Sequence, residues 1–329
     1  MRYCALGEFA ALQAEAGNHI LGAVGFGAGV RGDPSVTPSA WIDLPVLGGS
    51  GAPVIETWLS HEPVDHDGAN ATLRSSNNTR LLFGCLQTPI GADMAAAAEH
   101  AYLEIFRHTA AREFPHLLRI WNYFPGINAD DAGLERYQRF SLGRHAAFDR
   151  AQAHARMPAA SALGTRDGPL TVYFLAARQL GRPLENPRQL SAYCYPVRYG
   201  PRSPLFSRAM QCPTDAASAF FISGTASIVG HETRHAGDVL AQTQELLANI
   251  DALATLAGPA ATGWQLKAYL RHAADLPAVR QRLQTAFAPD TPVIYLQADV
   301  CRSSLLVEVE GVSFPDLDRL TLSCSSESA

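Results

Sequence analysis

Asp93–Glu113 reads DMAAAAEHAYLEIFRHTAARE, and three residues later Leu117–Tyr123 reads LLRIWNY. The first stretch is alanine-rich, with apolar residues three and four apart, which predicts a long helix with Asp93 placed to cap it. The second is a short apolar run of strand character. Upstream, four more such runs (His19–Phe26, Trp41–Leu47, Val54–Leu59 and Thr79–Leu86) are separated by Gly, Pro, Asp and Asn and predict a sheet. Downstream, Leu134–His154 predicts a second helix. The order then recurs. Leu170–Ala176, Ala192–Tyr199, Ala219–Gly224 and Ser227–Val229 read as strands, Val239–Ala257 as an amphipathic helix, and Trp264–Arg271 as a strand. Pro277–Phe287 continues as a helix, followed by strands at Val293–Leu296 and Leu305–Val309 and a polar C-terminus. The expected class is α/β of the α+β kind, with two halves, 1–155 and 156–329, in which mixed sheets are packed by long helices.

The chain has 329 residues, 47% hydrophobic and 17% charged, ample for a buried core and far from disordered composition. Its net charge of -5 and the absence of a basic block argue against nucleic acid as a partner. No apolar run is long enough to span a bilayer, so a cytoplasmic protein with no membrane partner is expected. The six cysteines are scattered without a CxxC pair, which suits reduced thiols. Of 26 basic residues only Lys267 is a lysine. Schiff-base chemistry therefore has one candidate, whereas bidentate arginine recognition of carboxylates has many.

His231-Glu232-Thr233-Arg234-His235 matches HExxH, the zincin pattern of two histidines one helical turn apart. The preceding SGTASIVG reads as strand and turn and Gly237 follows closely, so a helix is not expected and no metal is assigned. Gly22, Gly25, Gly27 and Gly29 mimic a dinucleotide loop without a βαβ context, which favours turn roles. The segment Gly181–Met210 is dense in Pro, Arg and Tyr, and an irregular stretch of that size is where a ligand is sought. Its Tyr193, Tyr195, Arg198, Tyr199, Arg202 and Arg208, with Tyr137 and Arg144 from the second helix, would suit a small dianion, or else a surface arginine network. Glu308 alternates with Leu306 and Glu310 along one strand face. It is either an ordinary solvent-facing carboxyl or, if it points into a pocket, a proton donor whose pKa is raised by desolvation.

Several long motifs resemble the chorismatase family, in the family's order: LRIWNYFPGIN (118–128), RYQRFSLGR (136–144), PAASALGT (158–165), ENPRQ (185–189) with Ser191-Ala192-Tyr193, YGPRSP (199–204) and FISGTASIVGHET (221–233). The resemblance implies a fold related to the RidA/YjgF proteins in a pseudo-trimer-like arrangement. It implies an enzyme that removes the enolpyruvyl group of chorismate as pyruvate; no cofactor is expected, and a monomer is. Carried over by position, Glu308 matches the catalytic glutamate and Tyr137, Arg144, Tyr199 and Arg202 match substrate-binding positions, with Arg208 a further candidate. Family branches yield a dihydrodiol by hydrolysis, 3-hydroxybenzoate, or both 3- and 4-hydroxybenzoate. Cys301, seven residues before Glu308, and Gly224 match the hydroxybenzoate pattern, so 3-hydroxybenzoate is the expected product. A hydrolytic chorismatase and a RidA-like small-molecule binder or imine deaminase are the alternatives.

Overall fold

A computed structural model describes residues 1–29, 39–67, 73–154, 157–212, 219–258 and 263–314. Among the described residues five α-helices, Leu6–Ala16 (α1), Met94–Ala111 (α2), Arg136–Arg150 (α3), Val239–Ala257 (α4) and Leu276–Ala286 (α5), pack on three larger mixed sheets. The sequence expectation for α2 and α4 holds to within a residue or two. Asp93 accepts from Ala95 N and Asp238 from Ala241 N, each satisfying a free amide at a helix start. The alanine run has a structural reason. Ala97, Ala98 and Ala101 are buried, and a methyl at Gly143 of α3 would fall 1.9 Å from Ala95 O, so small residues let α2 and α3 approach.

The first sheet is four-stranded: Arg2–Ala5, Val54–Leu59, Ile20–Phe26, Ser39–Ile42, in spatial order. The second has seven strands, ordered Asp299–Val300, Ala159–Thr165, His116–Pro125, Leu170–Ala177, Leu81–Thr88, Leu73–Asn77 and Asp65–Asp67. The third has six, ordered Arg182–Leu184, Ala209–Cys212, Ala219–Ala226, Val307–Ser313, Trp264–Leu270 and Val293–Gln297. In the second and third sheets a parallel pair is bridged by a helix, α3 between His116–Pro125 and Ala159–Thr165, and α5 between Trp264–Leu270 and Val293–Gln297. The mixed α/β class expected from the sequence is thus what the chain adopts, as three sheet units where the sequence pattern displayed two. The extra unit went unread because α1, LGEFAALQAEA, is short and starts without a side-chain cap.

The expected boundary at 155/156 lies outside the described residues, as do Cys324 and the polar tail. The seven-stranded sheet draws strands from both sides of it: Ala159–Thr165 pairs with His116–Pro125, and Leu170–Ala177 with Leu81–Thr88. A correction concerns Ala192–Tyr199, which forms 3₁₀ turns at Ala192–Cys194 and Val197–Tyr199 in place of a strand. Pro196 and Pro201 lack the amide a ladder requires. The glycines of Ile20–Phe26 serve close packing: a methyl would fall 2.4 Å from the Phe83 ring at Gly22 and 2.3 Å from the Trp41 ring at Gly25.

One face of each sheet lies under helices, and the opposite faces meet in a shared aromatic core. Trp58, Phe83, Trp121, Tyr123, Tyr173, Phe221 and Tyr269 come together there, Trp121 stacking on Tyr173 at 4.4 Å. At its centre each sheet contributes charge. Lys267 Nζ lies 2.6 Å from Glu56 and 2.8 Å from Glu310, and Arg119 Nη2 lies 2.6 Å from Glu310. Lys267, the Schiff-base candidate, is therefore sealed in ion pairs. Burying such charges is costly unless they are paired, and here the pairs link a residue of each sheet to the others.

Candidate active site

Where the irregular segment 190–208 meets α3 and the six-stranded sheet, the chain forms an open cleft. Glu308 and Gly224 line it from adjacent strands, and Tyr137, Gln138 and the helix-capping Glu135 line it from the start of α3. Tyr195, Arg198, Tyr199, Phe206 and Arg208 come from the Pro- and Arg-rich segment, and Cys301 and Arg302 from the turn after Asp299–Val300.

Glu308 is buried, opposite Ala226 on one side and Tyr269 on the other. Between Ile222 and Thr225 the ladder to Val307–Ser313 slips by one residue, a bulge that contains Gly224. A methyl at Gly224 would sit 2.0 Å from Glu308 Oε1 and 3.1 Å from Ser161 Oγ. Only glycine leaves the carboxyl its place.

Burial, with the negative charge of Glu310 added, pushes the Glu308 carboxyl up to about 8 against the opposing pull of Arg119 and Arg208. It is a neutral acid at pH 7. Burial likewise pushes the Cys301 thiol up to about 12, with Glu308 adding to the shift and Arg302 opposing it. Cys301 is a thiol and no nucleophilic thiolate. Burial also holds the Tyr137 phenol well above its ordinary range.

The positive wall is oriented by tyrosines. Arg208 is 5% exposed; its Nη2 donates to Leu190 O at 2.8 Å and Tyr195 Oη at 2.7 Å, and its Nε has no partner among the described residues. Arg302 stacks 4.1 Å from the Tyr199 ring centre and donates to His231 O at 2.9 Å. Arg198 donates to Tyr199 Oη at 3.3 Å.

Of the eight positions that the resemblance assigns, Glu308, Cys301, Tyr137, Tyr199, Arg208 and Gly224 share this cleft, joined by Tyr195 and Arg198 from the Pro- and Arg-rich segment. Arg144 and Arg202 are not in its lining. Arg144 lies buried on α3 over the rings of Tyr102 (4.9 Å) and Phe148 (5.5 Å), with Nε and Nη2 unpartnered among the described residues. Arg202 is exposed, beyond the turn at Gly200. The HExxH residues form a short ribbon and not a helix: Glu232–Thr233 is a strand and His235 has φ 58°. His231 Nδ1 faces Tyr199 Oη at 3.2 Å and His235 Nε2 faces Glu245 at 3.1 Å, so the pair does not converge. Sequence reasoning passed over Glu135, which fell inside the predicted helix Leu134–His154 and in the structure directly precedes α3.

A family model described as chorismatase FkbO/Hyg5-like, N-terminal, matches residues 56–176. A 3-hydroxybenzoate synthase of Streptomyces hygroscopicus is 36% identical over 314 residues, spanning 90% of this chain and 92% of its own. The chain belongs to the chorismatase family. A second relative, named chorismatase, from Streptomyces rapamycinicus is 40% identical over 275 residues, 78% of this chain and 81% of its own. A crystal structure of a chorismatase superposes with a TM-score of 0.84 at 32% identity, covering 95% of this chain and 97% of that one. This member of the chorismatase family is an enzyme. None of its described helices is long and apolar enough to cross a membrane.

Proposed function

We propose that this enzyme removes the enolpyruvyl group of chorismate as pyruvate and leaves 3-hydroxybenzoate. The observation that carries the reading is Glu308, a carboxylic acid kept neutral by burial at a cleft walled by guanidinium groups. Cleaving an enol ether requires a proton on its methylene carbon, and a neutral acid in an apolar setting supplies it. Arg208 and Arg302 offer donors for the carboxylates of a dianion, and the tyrosines that orient them fix the fork.

Proton transfer from Glu308 to the methylene carbon creates an oxocarbenium ion. In the assigned branch the neighbouring ring hydroxyl attacks the carbon bearing the ether, whose C–O bond breaks with its electrons going to the departing pyruvate. The hydroxyl proton returns to the Glu308 carboxylate, and the resulting arene oxide opens with a hydrogen shift to the aromatic product. Pyruvate and hydroxybenzoate together contain the atoms of chorismate, so no water or oxidant is consumed. Cys301, a neutral group on the same wall, helps keep water from the cation, and Gly224 keeps the carboxyl of Glu308 in place.

Incubation with chorismate, with pyruvate assayed and ring products separated by chromatography, tests this. Equimolar pyruvate and 3-hydroxybenzoate are expected. A dihydrodiol would move the enzyme to the hydrolytic branch, and no pyruvate at all would favour the small-molecule binder or imine deaminase.

A further inference from the structure

The sequence pattern that suggested a metal leads to two histidines that do not converge, whereas a cluster with no motif does. We infer that His145, Asp149 and His154, at the C-terminal end of α3, form a binding site for one divalent transition-metal ion.

His145 and Asp149 are one helical turn apart and share a face of α3. Beyond the helix end, Gln152 takes a left-handed conformation (φ 51°), and the chain folds back. Gln152 N donates to Asp149 O at 3.2 Å and Ala153 N to Phe148 O at 3.0 Å, which returns the His154 ring to 5.1 Å from that of His145. The third ligand is thus positioned by backbone hydrogen bonds and not by chance contact of long side chains. One nitrogen or oxygen from each residue lies within 4.8 Å of the others.

The separations suit a metal. Ligands ~2.0–2.1 Å from a tetrahedral zinc ion lie roughly 3.3–3.5 Å from each other. His145 Nδ1 and Asp149 Oδ2 are already 3.6 Å apart, and that buried nitrogen has no hydrogen-bond partner among the described residues. His154 Nε2 and Asp149 Oδ1, hydrogen-bonded at 2.6 Å, need to open by less than ~1 Å to reach the ligand separation expected around zinc. Asp149 and His154 are half exposed, leaving a side open for water as a further ligand. Two imidazoles and one carboxylate favour zinc, cobalt or nickel over calcium or magnesium. The partial negative charge of the helix C-terminus adds to the attraction. The site is separate from the cleft, and the proposed reaction does not pass through it.

The test uses metal-stripped protein without an affinity tag, titrated with zinc chloride by calorimetry and with cobalt(II) by visible absorption. One equivalent of saturable binding at micromolar affinity is expected, with a rise in Tm, since an ion bound only by the folded state stabilises it. His145→Ala and His154→Gln should each weaken binding at least tenfold, and His231→Ala should leave it unchanged. His154→Gln lies on an exposed turn and its fold is checked by circular dichroism. No saturable binding by wild-type protein, binding that survives both cluster substitutions, or binding lost in His231→Ala would each overturn the assignment.

Discussion

Glu310 is enclosed by Lys267 at 2.8 Å, Arg119 at 2.6 Å, the Trp121 indole at 2.8 Å and the Tyr269 hydroxyl at 3.0 Å, and it also accepts from Ser161. Glu308, two residues earlier on the same face of the same strand, meets a cleft that it shares with Gly224, Cys301, Tyr137 and Arg208. Burial opposes the charge of both. At Glu310 the two cations override it and hold the carboxyl below its usual range, whereas at Glu308 nothing of that strength is present and the ionised Glu310 adds to the upward shift. Equal burial thus gives opposite protonation states according to what each oxygen touches, and the sealed centre helps to set the acid in the open cleft.

The sharpest way to break this contrast is Glu308→Gln, which keeps shape but donates no proton. Turnover of chorismate should fall ~10² to 10⁴-fold. Stability should move the other way. Because the folded pKa, about 8, exceeds the unfolded value, the native carboxyl loses stability as pH rises through that interval. The amide should therefore gain up to ~3 kcal/mol at pH 7, at about 1.4 kcal/mol per pH unit, and nothing near pH 4. Thermal melts across pH check the sign, and in the wild type kcat/KM should decline as pH passes about 8.

Glu310→Gln attacks the other member of the comparison. Lys267 and Arg119 lose their shared anion, a disruption that typically costs about 3–5 kcal/mol, measurable by denaturant unfolding. With that negative charge gone, the alkaline limb of the pH–rate profile should shift to lower pH; an unmoved limb would uncouple the two carboxyls.

Gly224→Ala sharpens the geometry. The methyl would displace the Glu308 carboxyl, so turnover should drop and the ratio of hydroxybenzoate to dihydrodiol should change by chromatography. Cys301→Ala should alter that ratio more than the rate, because the thiol walls the cleft without ionising. The smallest contrast lies among the arginines. Arg208→Lys should raise KM roughly tenfold, a loss of about 1.4 kcal/mol, while Arg202→Lys, outside the lining, should change it by less than about twofold.

What the sequence disclosed follows the range of its signals. α4 was legible because Leu246, Ile250 and Leu253 repeat at helical spacing behind a capping Asp238. Gly224 and Glu308 were legible through motif resemblance alone, since the bulge that brings them together depends on register between strands more than 80 residues apart. Arg202 is assigned to substrate binding only by the resemblance, through YGPRSP; its side chain is exposed beyond the turn at Gly200 (φ 136°) and outside the lining of the cleft. Glu310 carried a local hint in its alternation with Glu308, but its partners Lys267 and Arg119 come from two other strands, one of them in another sheet. No local pattern encodes that meeting.

The one lysine of the chain lies at the junction of the three sheets, 3% exposed. Its amine is therefore a natural sensor of whether the junction has opened. A reagent that acylates lysines should leave this residue unmodified for as long as the sheets stay together, and mass spectrometry of the tryptic peptide that carries it would time their separation at this one position, with no engineered label. Few proteins carry a single-site clock for their own unfolding, and this one owes it to having spent its other positive charges as arginine.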